Sequence, residues 1–390
     1  MAGAAPASRR YRRRLVAELE GRRCILSERV RHAFLTVPRE LFVPAVAARE
    51  GVRAVYRDEA FVTKHDERGR PTSSSSQPAI MAVMLERLAL EEGHRVLEIG
   101  TGTGYNAALL ATIVGRQGRV VSVDIQPDVV ATARRALRSG RFRVTTAVAD
   151  GHEGWSAAAP YDRIVVTASS SFVPRALRDQ LVDGGRLELP LRPRAVGAQV
   201  IPTFERNGAR LRSVAMVPGG FMPLQGAEEA AEPARLSASA SSGTDVEPWL
   251  TLSGPGVSSL STVGRRRLLA LALGDPRDVR MVRLSPWSLA VFLSLTLPAA
   301  RIVEAFPGPG VGVCGRDGRS LALVVMRTRR RRDVRVLSYG GREAQERIER
   351  AIDRWQALGA PGEERLSECL RADVRFRGGR GVASFAWRRR

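Results

Sequence analysis

Lysine is almost missing from this chain. Lys64 is the single example among 62 basic residues, so arginine carries nearly all the positive charge. Three cysteines, Cys24, Cys314 and Cys369, are far apart, with no C-x-x-C pair, which excludes a disulfide framework and a cysteine zinc site. Histidine is as scarce. His32, His65, His94 and His152 have no metal-ligand spacing, and His152-Glu153 lacks the second histidine of H-E-x-x-H, so no metal is expected. Long apolar runs are missing too. The longest, Leu289 to Ala300, spans twelve residues and contains Pro298, too short for a bilayer. The arginines near the start are followed by Leu15-Val16-Ala17-Glu18, not the apolar core of a secretory signal. These absences point to a cytoplasmic protein without a membrane anchor.

What remains is an ordinary globular balance with an unusual charge. Of 390 residues, 44% are hydrophobic and 26% charged, enough for two or three domains with full cores. The net charge of +22 would attract nucleic acid or an acidic peptide. Nucleic-acid binding, the competing class, is disfavoured by the lack of an aromatic-interleaved basic motif or a helix-turn-helix signature.

Strand-like and helix-like runs alternate from residue 95. Strands are expected at 95–99, 119–123, 142–148, 161–167 and 186–191, with helices at 105–114, 127–137 and 173–181 between them. That order predicts an α/β fold, a doubly wound parallel sheet, with runs at 199–204 and 211–217 as an antiparallel edge. Residues 1–20 read as a basic arm or the frayed start of a helix, 21–224 as the α/β domain and 225–248, rich in Ala, Glu, Ser and Gly, as a linker. Residues 249–390 read as a smaller α+β accessory domain, with a hairpin around Gly315-Arg316-Asp317-Gly318 and an amphipathic helix at 344–358.

The strongest chemical signal is Glu98-Ile99-Gly100-Thr101-Gly102-Thr103-Gly104-Tyr105. A strand ends in glycines and a helix begins, which lets a ligand approach the backbone at the carboxyl end of a parallel strand. A dinucleotide fingerprint wants glycine where Tyr105 stands, which disfavours a nicotinamide oxidoreductase. Asp124, with Ile125 behind it, ends the next strand, where a carboxylate can accept two ribose hydroxyls. Asp150-Gly151 follows the third.

The E-x-G-x-G-x-G run resembles the first motif of class I S-adenosylmethionine-dependent methyltransferases. Five further segments sharpen the likeness: Val37-Pro38-Arg39-Glu40-Leu41-Phe42-Val43-Pro44; Ser76-Gln77-Pro78; Asp150-Gly151-x-x-Gly154-Trp155; Pro160-Tyr161-Asp162-Arg163-Ile164-Val165-Val166-Thr167-Ala168; and Gln180-Leu181-x-x-Gly184-Gly185-Arg186-Leu187. Together they resemble the protein-L-isoaspartate O-methyltransferase family over about residues 25–215. The resemblance implies a Rossmann-like seven-stranded sheet, S-adenosyl-L-methionine as cofactor, and methyl-ester formation on an Asp or isoAsp carboxylate of a protein or peptide, leading to a succinimide. It implies cofactor contacts at Glu98, Gly100, Thr101, Gly102, Gly104, Asp124, Ile125, Asp150 and Gly151, with Asp150 toward the adenine amino group. Ser76 matches the serine beside the transferred methyl, where it would orient the acceptor; ahead of Pro78 it could also cap a helix. Where the family has a Thr-Ile-Ser-like segment, this chain has Ser73-Ser74-Ser75-Ser76. The C-terminal region resembles the layout of family members that esterify a dedicated ribosomally made peptide, and that substrate is expected, with general isoaspartate repair as the alternative. The run Arg329-Arg330-Arg331-Arg332 reads as a solvated loop or as a dock for an acidic peptide.

Overall fold

The computed structural model describes residues 4–67, 69–192, 198–226, 234–238, 250–283, 285–299, 302–306, 310–326 and 333–388. Most of the expected linker and the 329–332 arginine run lie outside these residues.

The strands of the N-terminal half are β1 (Phe61–His65), β2 (Pro71–Ser75), β3 (Arg95–Ile99), β4 (Arg119–Asp124), β5 (Val144–Val148), β6 (Tyr161–Val166), β7 (Val173–Pro174), β8 (Leu181–Glu188), β9 (Gln199–Asn207) and β10 (Arg210–Gly219). Those of the C-terminal half are β11 (Arg235–Ala238), β12 (Leu250–Ser253), β13 (Asp278–Arg283), β14 (Ile302–Phe306), β15 (Gly310–Cys314), β16 (Ser320–Met326), β17 (Asp333–Gly340), β18 (Leu370–Arg377) and β19 (Arg380–Trp387).

The first sheet has the order β5-β4-β3-β6-β8-β9-β10-β18-β19-β7. Strands β5, β4, β3, β6 and β8 are parallel, and the rest are antiparallel. The parallel strands are short valine- and leucine-rich runs because both of their faces are covered; β3 is buried from Val96 to Ile99. The chain winds outward from β3 in one direction through β4 and β5, and in the other through β6 and β8. That reversal leaves a crevice at the carboxyl ends of β3 and β6.

The second sheet is wholly antiparallel, in the order β11-β12-β14-β15-β16-β17-β13. The expected hairpin is β15–β16, and the expected amphipathic helix is Arg342–Ala357, which buries Ala344, Ile348, Ile352 and Trp355 at helical spacing. One apolar core runs from the first sheet into this helix, joining Leu187 and Phe204 to Phe292 and Trp355.

The expected helix at 173–181 is a strand Val173–Pro174 and a short helix Arg175–Asp179, and the strand expected at 186–191 runs from Leu181 to Glu188. Two larger features also differ from the sequence expectation. Residues 4–21 form a packed helix where a basic arm or a frayed helix start was expected. Leu15, Val16 and Leu19 are buried on one side of it, and Arg12 donates to the carbonyls of Leu35 and Thr36 at 3.0 Å each. Frequent arginines on the exposed side had masked this apolar stripe. The second difference is the final hairpin. Although β18 and β19 fall within 249–390, they extend the first sheet: Leu211 lies opposite Val374, and Arg380 opposite Pro174.

Candidate functional site

The crevice above β3, β4 and β6 is a cleft of about 780 Å³, its open mouth included. Its floor is the glycine run. Gly100 sits at φ +94°, and a Cβ there would come 2.3 Å from Thr167 Oγ1. Thr167 belongs to the segment after β6 and donates to the Gly100 carbonyl at 2.8 Å. Gly102, at φ +50°, lies beneath the chain after β1; a Cβ would approach the Ser74 carbonyl to 2.9 Å. Both positions need a residue without a side chain, on steric and conformational grounds. Thr101 is also part of the floor. Gly104 faces Ala133 and Leu137 of the helix Pro127–Ser139, so it serves helix packing and does not line the cleft.

Asp124 lines the cleft, with Ile125 exposed beside it. The Asp124 carboxylate accepts the Gly102 N–H at Oδ2 and the Gln126 N–H at Oδ1, each at 3.1 Å. Burial nonetheless pushes its pKa up from the ordinary range.

Glu98 is fully buried beneath the floor and does not reach the cleft. Asn106 donates to its Oε1 at 2.8 Å, and the Ser122 hydroxyl sits between Oε2 at 2.5 Å and Thr101 Oγ1 at 2.8 Å. Glu98 therefore positions Thr101 and the start of the helix Tyr105–Val114. Burial pushes its carboxyl up to about 7, against the pull of the Ser122 and Asn106 hydrogen bonds. A carboxyl raised in the folded state lends stability at low pH, which is lost as pH rises through the folded value. Wild type should thus lose stability from about pH 4.5 to 7 relative to Glu98→Gln, which cannot ionise. Urea midpoints across that range measure the difference, and parallel curves would discard the assignment.

Ser76 lines the cleft and is half-buried. The helix Pro78–Leu88 does not use it as a cap. Gln77 is the cap residue, and the Ala79 N–H is taken by Asp58 Oδ1 at 2.8 Å. The capping role considered for Ser76 is therefore filled by Asp58, a residue no local pattern singled out. Ser76 is held through its carbonyl, which accepts from Arg39 Nη2 at 3.0 Å. Arg39 is fully buried and also donates to the carbonyls of Val55, Arg57 and Glu59. Two buried hydroxyls in the same wall, Thr72 Oγ1 and Ser75 Oγ, have no hydrogen-bond partner among the described residues.

Gly151 lines the cleft, pressed on Ile99: a Cβ would lie 2.4 Å from Ile99 Cγ2. Asp150 sits behind it, its side chain about a quarter exposed. Two distant motifs pin this loop. Gln180 accepts the Trp155 N–H at 2.7 Å and donates to the Glu153 carbonyl at 2.8 Å. Tyr161 donates its hydroxyl proton to the Trp155 carbonyl at 2.6 Å. Tyr105 packs against Phe34 and Phe42 and also lines the cleft, while the Trp155 main chain is held by Gln180 and Tyr161. Among the described residues, no three His, Cys, Asp or Glu side chains gather as a metal site, and no helix is long and apolar enough to cross a membrane.

A glycine floor that a side chain would fill, an acidic residue at the end of β4, an exposed isoleucine beside it and unpartnered wall hydroxyls together fit a nucleoside-bearing ligand with a polar tail. Comparison with known proteins agrees. A family model described as protein-L-isoaspartate(D-aspartate) O-methyltransferase matches residues 10–229. The chain is 41% identical over 217 residues to protein-L-isoaspartate O-methyltransferase 1 of Archaeoglobus fulgidus, covering 55% of this chain and 94% of that one. It is 40% identical over 219 residues to the protein-L-isoaspartate O-methyltransferase of Methanoculleus marisnigri, covering 56% and 93%. A solved structure titled protein-L-isoaspartate O-methyltransferase aligns with 96% of this chain and 99% of its own, at 26% identity and a TM-score of 0.53.

Proposed function

The chain belongs to the protein-L-isoaspartate(D-aspartate) O-methyltransferase family and uses S-adenosyl-L-methionine; on that premise we propose that it methylates isoaspartyl carboxylates across many polypeptides, as the first step toward a succinimide. The observation that carries the breadth of substrate is the full-length likeness. The C-terminal region was the ground for expecting one dedicated ribosomal peptide, and a solved isoaspartate methyltransferase aligns along almost the whole chain, that region included. The dedicated peptide remains the narrower reading to be tested beside it. We also assign to the catalytic unit the hairpin β18–β19 together with residues 21–224, because its pairing with β10 and β7 extends their sheet.

S-adenosyl-L-methionine supplies a methyl group on a sulfonium, so an oxygen–carbon bond forms as a sulfur–carbon bond breaks. The acceptor carboxylate, with a pKa near ~4, is already ionised at neutral pH and needs no general base. The protein's work is placement. In this reading Gly100, Thr101, Gly102 and Gly151 leave room for the donor, Asp124 takes ribose hydroxyls, Ile125 covers the base and Asp150 accepts from its amino group. Glu98 and Gly104 hold that frame from behind. Ser76, fixed by Arg39 through its carbonyl, keeps its hydroxyl for the acceptor.

Incubation with methyl-labelled donor should place base-labile esters on several unrelated isoaspartyl peptides. Ester on none of them would overturn the reading, and ester only on an acidic precursor peptide would favour the dedicated substrate. Ser76→Ala should lower kcat roughly ten- to hundredfold, the worth of one hydrogen bond to a charged group, with S-adenosylhomocysteine affinity retained.

A further inference from the structure

Two residues beyond Asp150, His152 is buried at 5% exposure. Its Nδ1 lies 2.8 Å from Asp150 Oδ1, and its backbone N–H donates to the same oxygen at 2.9 Å. An ionised carboxylate only accepts, so Nδ1 carries the proton of this contact. The imidazole face stacks on Phe172, with centroids 5.5 Å apart and planes 16° apart. Phe172 in turn carries the guanidinium of Arg380, 4.9 Å from its centroid.

The placement of Arg380 is set by the backbone. It opens β19 opposite Pro174, with Gly381 opposite Val173. Arg175 clasps the preceding turn, donating its N–H to the Gly379 carbonyl at 2.9 Å and Nη1 to that of Gly378 at 3.3 Å. The chain's last hairpin is thus locked to the segment that bears Phe172. A contact chain runs from it through Phe172 and His152 to Asp150.

We propose that His152 is a positioning residue for Asp150, and that the C-terminal hairpin holds His152 in place through Arg380 and Phe172. This rests on the reading of Asp150 as the acceptor for the adenine amino group. With Oδ1 committed to His152, the carboxylate plane is fixed and the direction of Oδ2 with it. Without the imidazole, Oδ1 would keep the His152 backbone N–H and lose its second donor; the loosened carboxylate would aim less sharply, and base selection would relax. The base-recognition end of the cleft is then braced by the last hairpin of the chain.

The test uses the full chain and calorimetric binding of S-adenosylhomocysteine and its 6-deaminated analogue, S-inosylhomocysteine. The readout is the preference for the adenine compound, a ratio that general loosening of the protein would not move. Asp150→Ala should abolish that preference. His152→Leu should cut it roughly fivefold, the worth of one indirect charged hydrogen bond, and His152→Asn, whose amide reaches the same oxygen, should restore it. Arg380 is exposed, so Arg380→Ala leaves the fold intact; it should cut the preference about two- to threefold, as loss of an exposed cation–π contact would. If Asp150→Ala loses the preference while His152→Leu or Arg380→Ala keeps it at the wild-type value, the proposal is overturned and the Asp150 reading stands. If Asp150→Ala keeps it, the Asp150 reading falls and takes the proposal with it.

Discussion

Arg39→Met should destabilise the protein by about 3–5 kcal/mol and weaken catalysis in whatever fraction stays folded. Arg39 is fully buried and donates to four main-chain carbonyls, those of Val55, Arg57, Glu59 and Ser76, at 2.9 to 3.0 Å. Its guanidinium also lies 4.7 Å from the Phe61 ring centroid. Burial lowers its pKa to about 10, so the charge persists at neutral pH and each bond is charge-assisted. Methionine fills a similar volume and leaves all four acceptors without a donor, each costing about 1–3 kcal/mol where water cannot reach. Some of that cost will be relieved by water entering, which is why the total falls short of four full penalties. Arg39→Lys keeps the charge but not the planar fork, and should recover less than half of the loss. Urea denaturation with an unchanged m-value would show the effect; a midpoint within experimental error of wild type would remove Arg39 from its assigned role.

The residues that carry this prediction show what a sequence can and cannot reveal. Arg39 was visible as a member of a motif, yet nothing local says that it reaches two other stretches of chain, residues 55–59 and Ser76. The same holds for Gln180 and Tyr161. Their motifs were legible, but their shared task of pinning the Asp150–Trp155 loop exists only once β6 and β8 are side by side. By contrast, the floor of the cleft was readable almost residue by residue. A strand that ends in Gly-x-Gly-x-Gly before a helix encodes its own turn, because the needed backbone angles belong to those residues alone. The α/β alternation was readable for the same reason: valine-rich runs of five or six residues and Pro-opened helices are local signals.

Long-range pairing was not readable. The register of Leu211 with Val374 joins residues far apart in the chain, and β18 carries no mark that distinguishes the first sheet from the second as its partner. A composition shift near 225 suggested a clean division between halves, and the chain crosses back over it. Glu98 misled in a different way. Its place at a strand end beside the glycines resembled a ligand contact, but period-two alternation turns it under the sheet, toward Ser122 and Asn106. Asp124 ends its strand with its side chain on the cleft side.

That placement gives Asp124→Ala the largest expected effect on cofactor binding: a loss of about 2 kcal/mol, or roughly thirtyfold in the affinity for S-adenosylhomocysteine. Two effects add. The variant loses the acceptor proposed for the ribose hydroxyls, and it frees the Gly102 and Gln126 N–H groups that the carboxylate now holds at 3.1 Å. Freed from that anchor, Gly102 can drift from the Ser74 carbonyl that lies over it, and the floor loses its shape before any ligand arrives. Asp124→Asn separates the two contributions. One amide oxygen can still hold one of the two N–H groups, while the amide nitrogen faces the other as a second donor and offers nothing to a ribose hydroxyl's proton. It should fall between wild type and alanine if both effects operate, and match alanine if the floor is insensitive to the anchor that asparagine keeps. Titration calorimetry gives the order directly. An alanine variant that binds as tightly as wild type would show that the β4 carboxylate shapes the turn and touches no ligand.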